Sequence, residues 1–270
     1  MAEEILETVV RLRRERKPCA LATVVEAEGS TSAKIGAKAL IDEDGRVLAG
    51  WVGGGCAEST TCETALRCLR QGHGEVIDID LNDEVLGAGM PCGGSMRVYV
   101  EPMLPRPCLW IMGHGRIAQV LCQLADLCDL EVVVNDPMVS REYYPAASRL
   151  ITDDVAYREL RPAPDDYVVI ATQHKGDHRS IQQALESDAG YIALIASRKR
   201  AGLVLDYLRE NDVPEEQIRR VRSPCGLDLG ARTPEEIALS LMSEIVMIRR
   251  GGQGGLMADK ARRAPKKASA

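Results

Sequence analysis

The sequence predicts an α/β protein in which an N-terminal α+β domain precedes a Rossmann-like, doubly wound parallel-sheet domain. Three observations carry this. After residue 108, short apolar runs alternate with helical periodicities, the pattern of a sheet covered on both faces. A G-x-G-x-x-A loop follows the first of those runs. A proline-rich stretch, Glu101 to Pro107, separates them from a first half with hairpin-like strands and two unusual glycine-cysteine loops.

Residues 3–16 place Ile5, Leu6, Val9, Val10 and Leu12 among charges, the spacing of an amphipathic helix. Cys19–Val25 reads as a strand, and Glu28–Ser32 as a loop of small hydroxyl residues. Lys38–Ile41 and Arg46–Val52 flank Asp42–Gly45 as a hairpin. Gly53-Gly54-Gly55 leads into Cys56 and a helix from Ala57 to Arg70. Strands follow at Glu75–Leu81 and Ser95–Glu101. The loop between them holds Gly87, Gly89, Pro91, Cys92, Gly93 and Gly94. Domain one is therefore 1–101, with a linker at 102–107.

In the second domain, 108–250, strands are expected at Cys108–Met112, Glu131–Asn135, Tyr167–Thr172 and Tyr191–Ser197. Helices are expected at 116–128, 179–187 and 199–210. Ile117, Val120, Leu121, Leu124 and Leu127 would form one helical face. Thr233-Pro234-Glu235-Glu236 supplies an N-cap, a first-turn proline and a capping-box glutamate for a last helix. Its inner face would be Ile237, Leu241, Ile245 and Ile248, with Gly251 as the stop. The tail, 251–270, is rich in Gly, Ala, Lys and Arg and reads as disordered and basic.

A net charge of −6 over 270 residues argues against a general nucleic-acid binder. No apolar run approaches the roughly 20 residues that span a bilayer. Nine cysteines are scattered through apolar runs, without a CxxC pair or a signal-peptide pattern. They read as reduced residues of a cytoplasmic protein, with Cys19, Cys62, Cys68, Cys108, Cys122 and Cys128 in the core.

Cys56 and Cys92 are different, because bare glycines flank both. A thiol opening a helix faces unpaired backbone N–H groups and the positive end of the macrodipole, which favour thiolate. Thiolate is a soft ligand suited to a thiophilic metal or to sulfur transfer. Gly53, Gly54, Gly55, Gly93 and Gly94 would offer N–H donors to an oxo or phosphate group. Glu58, in the first turn, could anchor the loop or accept a proton. The alternative is that both cysteines are small fillers of tight turns.

Gly113-His114-Gly115-Arg116-Ile117-Ala118 has the spacing of a dinucleotide loop. Gly113 allows the turn, Gly115 lets a phosphate approach, Ala118 permits close helix packing, and Asp136 stands where a ribose carboxylate belongs. NAD(P) or another nucleotide is the implied ligand, and an NAD(P)-dependent oxidoreductase the competing function. A nucleotide fold that has lost or changed its nucleotide stays open. His174 and His178 are the candidates for acid chemistry; a polar loop contacting phosphate or cofactor fits them better than a metal pair. Ser197, Arg198, Lys199 and Arg200 place cations at a helix start, where a bound anion would offset their opposition to the macrodipole. A solvated basic turn explains them equally well.

Over residues 3–250 the chain resembles the xanthine dehydrogenase accessory factor family (XdhC/CoxI). The resemblance rests on Gly53-Gly54-Gly55-Cys56-Ala57-Glu58, Met90-Pro91-Cys92-Gly93-Gly94, the loop at Gly113, Tyr191–Lys199 and the segment Ser223–Ala238. It implies a molybdenum cofactor-binding maturation factor, or chaperone, that assists sulfuration of the cofactor and its insertion into a xanthine or carbon monoxide dehydrogenase-type hydroxylase. It implies partners too: the apo-hydroxylase, a cysteine desulfurase and a second copy of the chain in a homodimer. Cys56 and Cys92 would hold the molybdenum or its sulfur. No role is assigned to Cys225, which fills a slot where a small or aliphatic residue is expected.

Overall fold

The computed structural model describes residues 2–81, 94–172 and 177–259, which divide into two compact units at Pro105/Arg106. In the first unit the chain runs α1 (Ala2–Arg14), β1 (Cys19–Gly29), β2 (Lys38–Asp42), β3 (Val47–Gly50), α2 (Cys56–Gln71), β4 (Glu75–Asp80) and β5 (Gly94–Met103). The strands form one antiparallel sheet in the order β3-β2-β1-β5-β4.

Alternation assigns each helix a face of this sheet. Ala20, Ala22, Val24, Ala39, Ile41, Met96, Val98 and Val100 pack with Ala57, Ala65 and Cys68 of α2. On the opposite face Cys19, Leu40 and Ala49 pack with Ile5 and Leu12 of α1. Alanines at the centre of β1 let α2 lie close to the sheet. Gly72 ends that helix in the left-handed conformation, its N–H donating to Cys68 O at 2.8 Å.

The strand expected to end at Glu101 runs on through Pro102 to Met103, so the linker is shorter than 102–107. Pairing explains why a proline is tolerated. β4 accompanies β5 only as far as Val100, and beyond it β5 has β1 alone beside it.

The second unit comprises β6 (Cys108–Gly113), α3 (Arg116–Leu127), β7 (Glu131–Asn135), β8 (Arg149–Ile151), β9 (Tyr167–Ala171), α4 (Asp177–Leu185), β10 (Tyr191–Leu194), α5 (Arg198–Glu210), α6 (Glu215–Ile218), β11 (Val221–Arg222) and α7 (Pro234–Arg250). Its sheet is parallel, in the order β11-β10-β9-β6-β7-β8. Successive strands go one way from β6 and then the other, so the switch point lies between β6 and β9. β6 and β9 are buried along their whole length, as strands covered on both faces must be. Leu109, Ile111 and Val169 face α3 and α7. Trp110, Met112, Val168 and Ile170 face α4 and α5. Asp166 fastens the start of β6, accepting from Cys108 N at 2.7 Å and Ala163 N at 2.9 Å.

Several expectations about this unit need correction. The buried stripe of α3 is Ala118, Leu121, Cys122 and Ala125, while Leu127 is 82% exposed. That of α7 includes Ala238, Leu241, Met242 and Ile245, with Ile248 exposed. In both helices the small residues are buried, where α3 and α7 pack closely against each other. β10 stops at Leu194 instead of Ser197, since the chain turns there to open α5. The strands β8 and β11, three and two residues long, carry too little periodicity to be read. Past Gly251, Gly252 N donates to Met247 O at 2.8 Å, 257–259 form a helical turn, and residues 251–259 are exposed. Residues 260–270 of the expected tail lie outside the described residues.

Candidate functional site

The glycine run is held at its first end and open at its second. Trp51 N donates to Lys38 O at 2.6 Å, and Val52 is buried. Gly53 has φ +120°, and a Cβ there would come within 3.1 Å of the Ala57 Cβ and 3.8 Å of Ser32 Oγ. Gly54 and Gly55 have nothing within 4 Å of an added Cβ, and both are exposed.

Gly55, at φ +59°, is the N-cap of α2 and brings no side-chain oxygen to the helix end. Cys56 follows as the first helical residue and is half-buried. A helix whose first N–H groups lack a side-chain cap, opened by a thiol and approached over bare backbone, can receive an anionic oxygen and a soft metal or sulfur centre together. Glu58 is exposed, two residues further round the helix. Its charge adds to burial in raising the Cys62 thiol one turn on.

Cys92 and Gly93 lie outside the described residues. Gly94 opens β5 opposite Gly29, and a Cβ on it would strike Glu28 O at 2.5 Å. That contact alone accounts for a glycine at this position. Gly94 and Gly53 stand beside neighbouring parts of one loop, near Ser30 and Ser32 respectively.

Five other described cysteines sit where burial opposes the thiolate. Burial raises the thiols of Cys19, Cys62 and Cys68, and pushes Cys122 up to about 11 and Cys225 to about 12. No disulfide joins the described cysteines, and among those residues no group of His, Cys, Asp and Glu is arranged to hold a metal.

In the second unit the G-x-G loop joins β6 to α3. Gly113 has φ +120° and packs so closely that a Cβ would lie 2.3 Å from Ala171 O. Ala118 is fully buried. Gly115 N donates to the Tyr144 hydroxyl at 3.1 Å. Asp136 Oδ1 accepts from Met138 N at 2.8 Å and lies 2.9 Å from His114 Nδ1.

Ser197 is the N-cap of α5, its Oγ accepting from Arg200 N at 3.4 Å, while Arg198 and Lys199 are exposed. His178 rests against the Tyr207 ring, centroids 4.2 Å apart. His174 lies outside the described residues.

Sequence reasoning missed Glu244. Only 7% exposed, it accepts from the Tyr191 hydroxyl at 2.8 Å, Gly226 N at 2.6 Å and Arg222 at 3.1 Å. It thereby fastens β10, β11 and the Ser223–Gly226 turn to α7. The available signal was a carboxylate in the inward register of the largely apolar run Leu241 to Ile248.

A family model described as the XdhC Rossmann domain matches residues 109–245, and one described as the XdhC and CoxI family matches 12–80. YqeB of Escherichia coli K12 is 31% identical over 264 residues, which cover 94% of this chain and 48% of YqeB. The chain therefore spans about half the length of that relative. The molybdenum cofactor insertion chaperone PaoD of the same organism is 23% identical, over 91% of this chain and 88% of PaoD. A crystal structure described as a xanthine dehydrogenase from Bacillus halodurans superposes with a TM-score of 0.50 at 22% identity, covering 92% of this chain and 96% of that one, a likeness of fold. With both units matched by models of one family, on the sheets and loops described above, the chain belongs to the XdhC family.

Proposed function

We propose that this chain is a maturation factor for a xanthine dehydrogenase-type molybdenum hydroxylase: it binds the molybdenum cofactor and assists its sulfuration and insertion. Cys56 carries the reading. It is a half-buried thiol at the uncapped start of α2, reached across Gly54 and Gly55, where an added Cβ would meet nothing. That combination suits a ligand with a soft centre and anionic oxygens, and the PaoD relative is named for insertion of such a cofactor. Cys92 supplies a second thiol in this reading, and Gly93 adds backbone donors. The apo-hydroxylase and a cysteine desulfurase are its partners, a homodimer its assembly and the cytoplasm its compartment. At the start of α5, in the second unit, Arg198 and Lys199 offer cations and Ser197 a hydroxyl to an anionic phosphate group.

Gel filtration tests the proposal. The full chain incubated with molybdenum cofactor should carry molybdenum in its own peak, and Cys56→Ala and Cys92→Ala should each retain several-fold less. No retention by the parent chain would overturn it.

A further inference from the structure

We propose that the Rossmann-type unit binds no dinucleotide, because its G-x-G loop has become an internal brace. A dinucleotide held by such a loop needs a free backbone N–H at the second glycine for its pyrophosphate. It also needs an uncommitted carboxylate after the next strand for its ribose, and a clear approach to the helix end.

The Gly115 N–H and one oxygen of the Asp136 carboxylate are engaged within the chain. The Gly115 N–H is directed to the Tyr144 hydroxyl, 3.1 Å away. Tyr144 is buried, and its ring packs in the core that holds Leu121, Val139 and Ala147. A phosphate oxygen could take that N–H only by displacing the tyrosine hydroxyl. Asp136 Oδ1 receives the Met138 N–H at 2.8 Å and lies 2.9 Å from His114 Nδ1, with the side chain 14% exposed. Arg116 is paired with Glu235 at 2.7 Å, joining the first turn of α3 to that of α7.

The glycine pattern itself needs no ligand to explain it. Gly113 is required by the Ala171 carbonyl, and Ala118 by the core. Gly115, at φ +111°, makes the turn into α3. The loop thus ties β6, the chain between β7 and β8, and α7 to one another.

Titration of the full chain with NADH, with NADPH and with ADP-ribose tests this, read by calorimetry and nucleotide fluorescence. The expected result is no saturable binding at millimolar ligand. Tyr144→Phe, which leaves the Gly115 N–H without its acceptor, should lower Tm by about 2–4 °C. Saturable binding by the parent chain that Gly115→Val removes would overturn the proposal, and an unchanged Tm in Tyr144→Phe would overturn the bracing role. Neither readout involves molybdenum, so this inference and the proposed function fail separately.

Discussion

A Cβ placed on Gly113 would sit 2.3 Å from the Ala171 carbonyl oxygen, whereas one placed on Gly54 would meet nothing within 4 Å. The two glycines should therefore respond oppositely to alanine. Gly113→Ala combines a backbone clash with an unfavourable positive φ and should cost about 3 kcal/mol or more in urea denaturation. Gly54→Ala should stay within about 0.5 kcal/mol of the parent. It then becomes a folding-neutral probe: a loss of molybdenum retention in Gly54→Ala would report on the approach to Cys56 and not on stability. The glycine run and its cysteine were legible in the sequence because three consecutive glycines bring no side chains to pack and cost backbone entropy. The roles of Tyr144 and Asp136 were not. Which group accepts the Gly115 N–H depends on a ring 29 residues away in the chain, and no local pattern marks it.

At the scale of elements, α7 shows both what was readable and what was not. Its capping box forms as the Thr-Pro-Glu-Glu spacing predicts: Thr233 Oγ1 accepts from Glu236 N at 3.2 Å, and the Glu236 carboxylate accepts from Thr233 N at 3.0 Å. Thr233→Ala should cost about 1 kcal/mol. Glu244 has far more depending on it. Glu244→Ala would leave the Tyr191 hydroxyl and the Gly226 N–H without their acceptor, and should cost about 3–5 kcal/mol in chemical denaturation. A loss no larger than that of Thr233→Ala would show that the network contributes little. Caps are short-range and follow from residue types three apart. A carboxylate shared by two strands, a turn and a helix depends on the completed fold. For the same reason the helix faces shifted toward their alanines, where the close approach of α3 and α7 outweighs side-chain size.

The whole molecule has a stability limit on the alkaline side. Burial raises Cys122 to about 11 and Cys225 to about 12, against 9.0 for a free thiol, and Tyr144 to about 12, against 10.0. All three are held protonated when folded, so the unfolded chain loses its protons first as pH rises. Their contribution is complete below pH 9 and is withdrawn between about 9 and 12. Tm should fall steadily across that window, and Cys225→Ala should make the fall shallower. A flat profile from pH 9 to 11 would contradict the burial of these groups.

The first unit's sheet also has a consequence in time. Its central strands are the first and the last to be made: β1 pairs with β5 from Cys19 opposite Met103 to Gly29 opposite Gly94. A chain emerging from the ribosome holds β1, β2 and β3 as an open meander, with one side of β1 bare, until residue 103 is available. Loop closure over that span must precede most of the burial under α2, which slows the step and exposes β1 to pairing with other nascent chains. Released fragments ending before β5 should therefore be protease-sensitive throughout, and those ending just beyond Pro105 protected as one block.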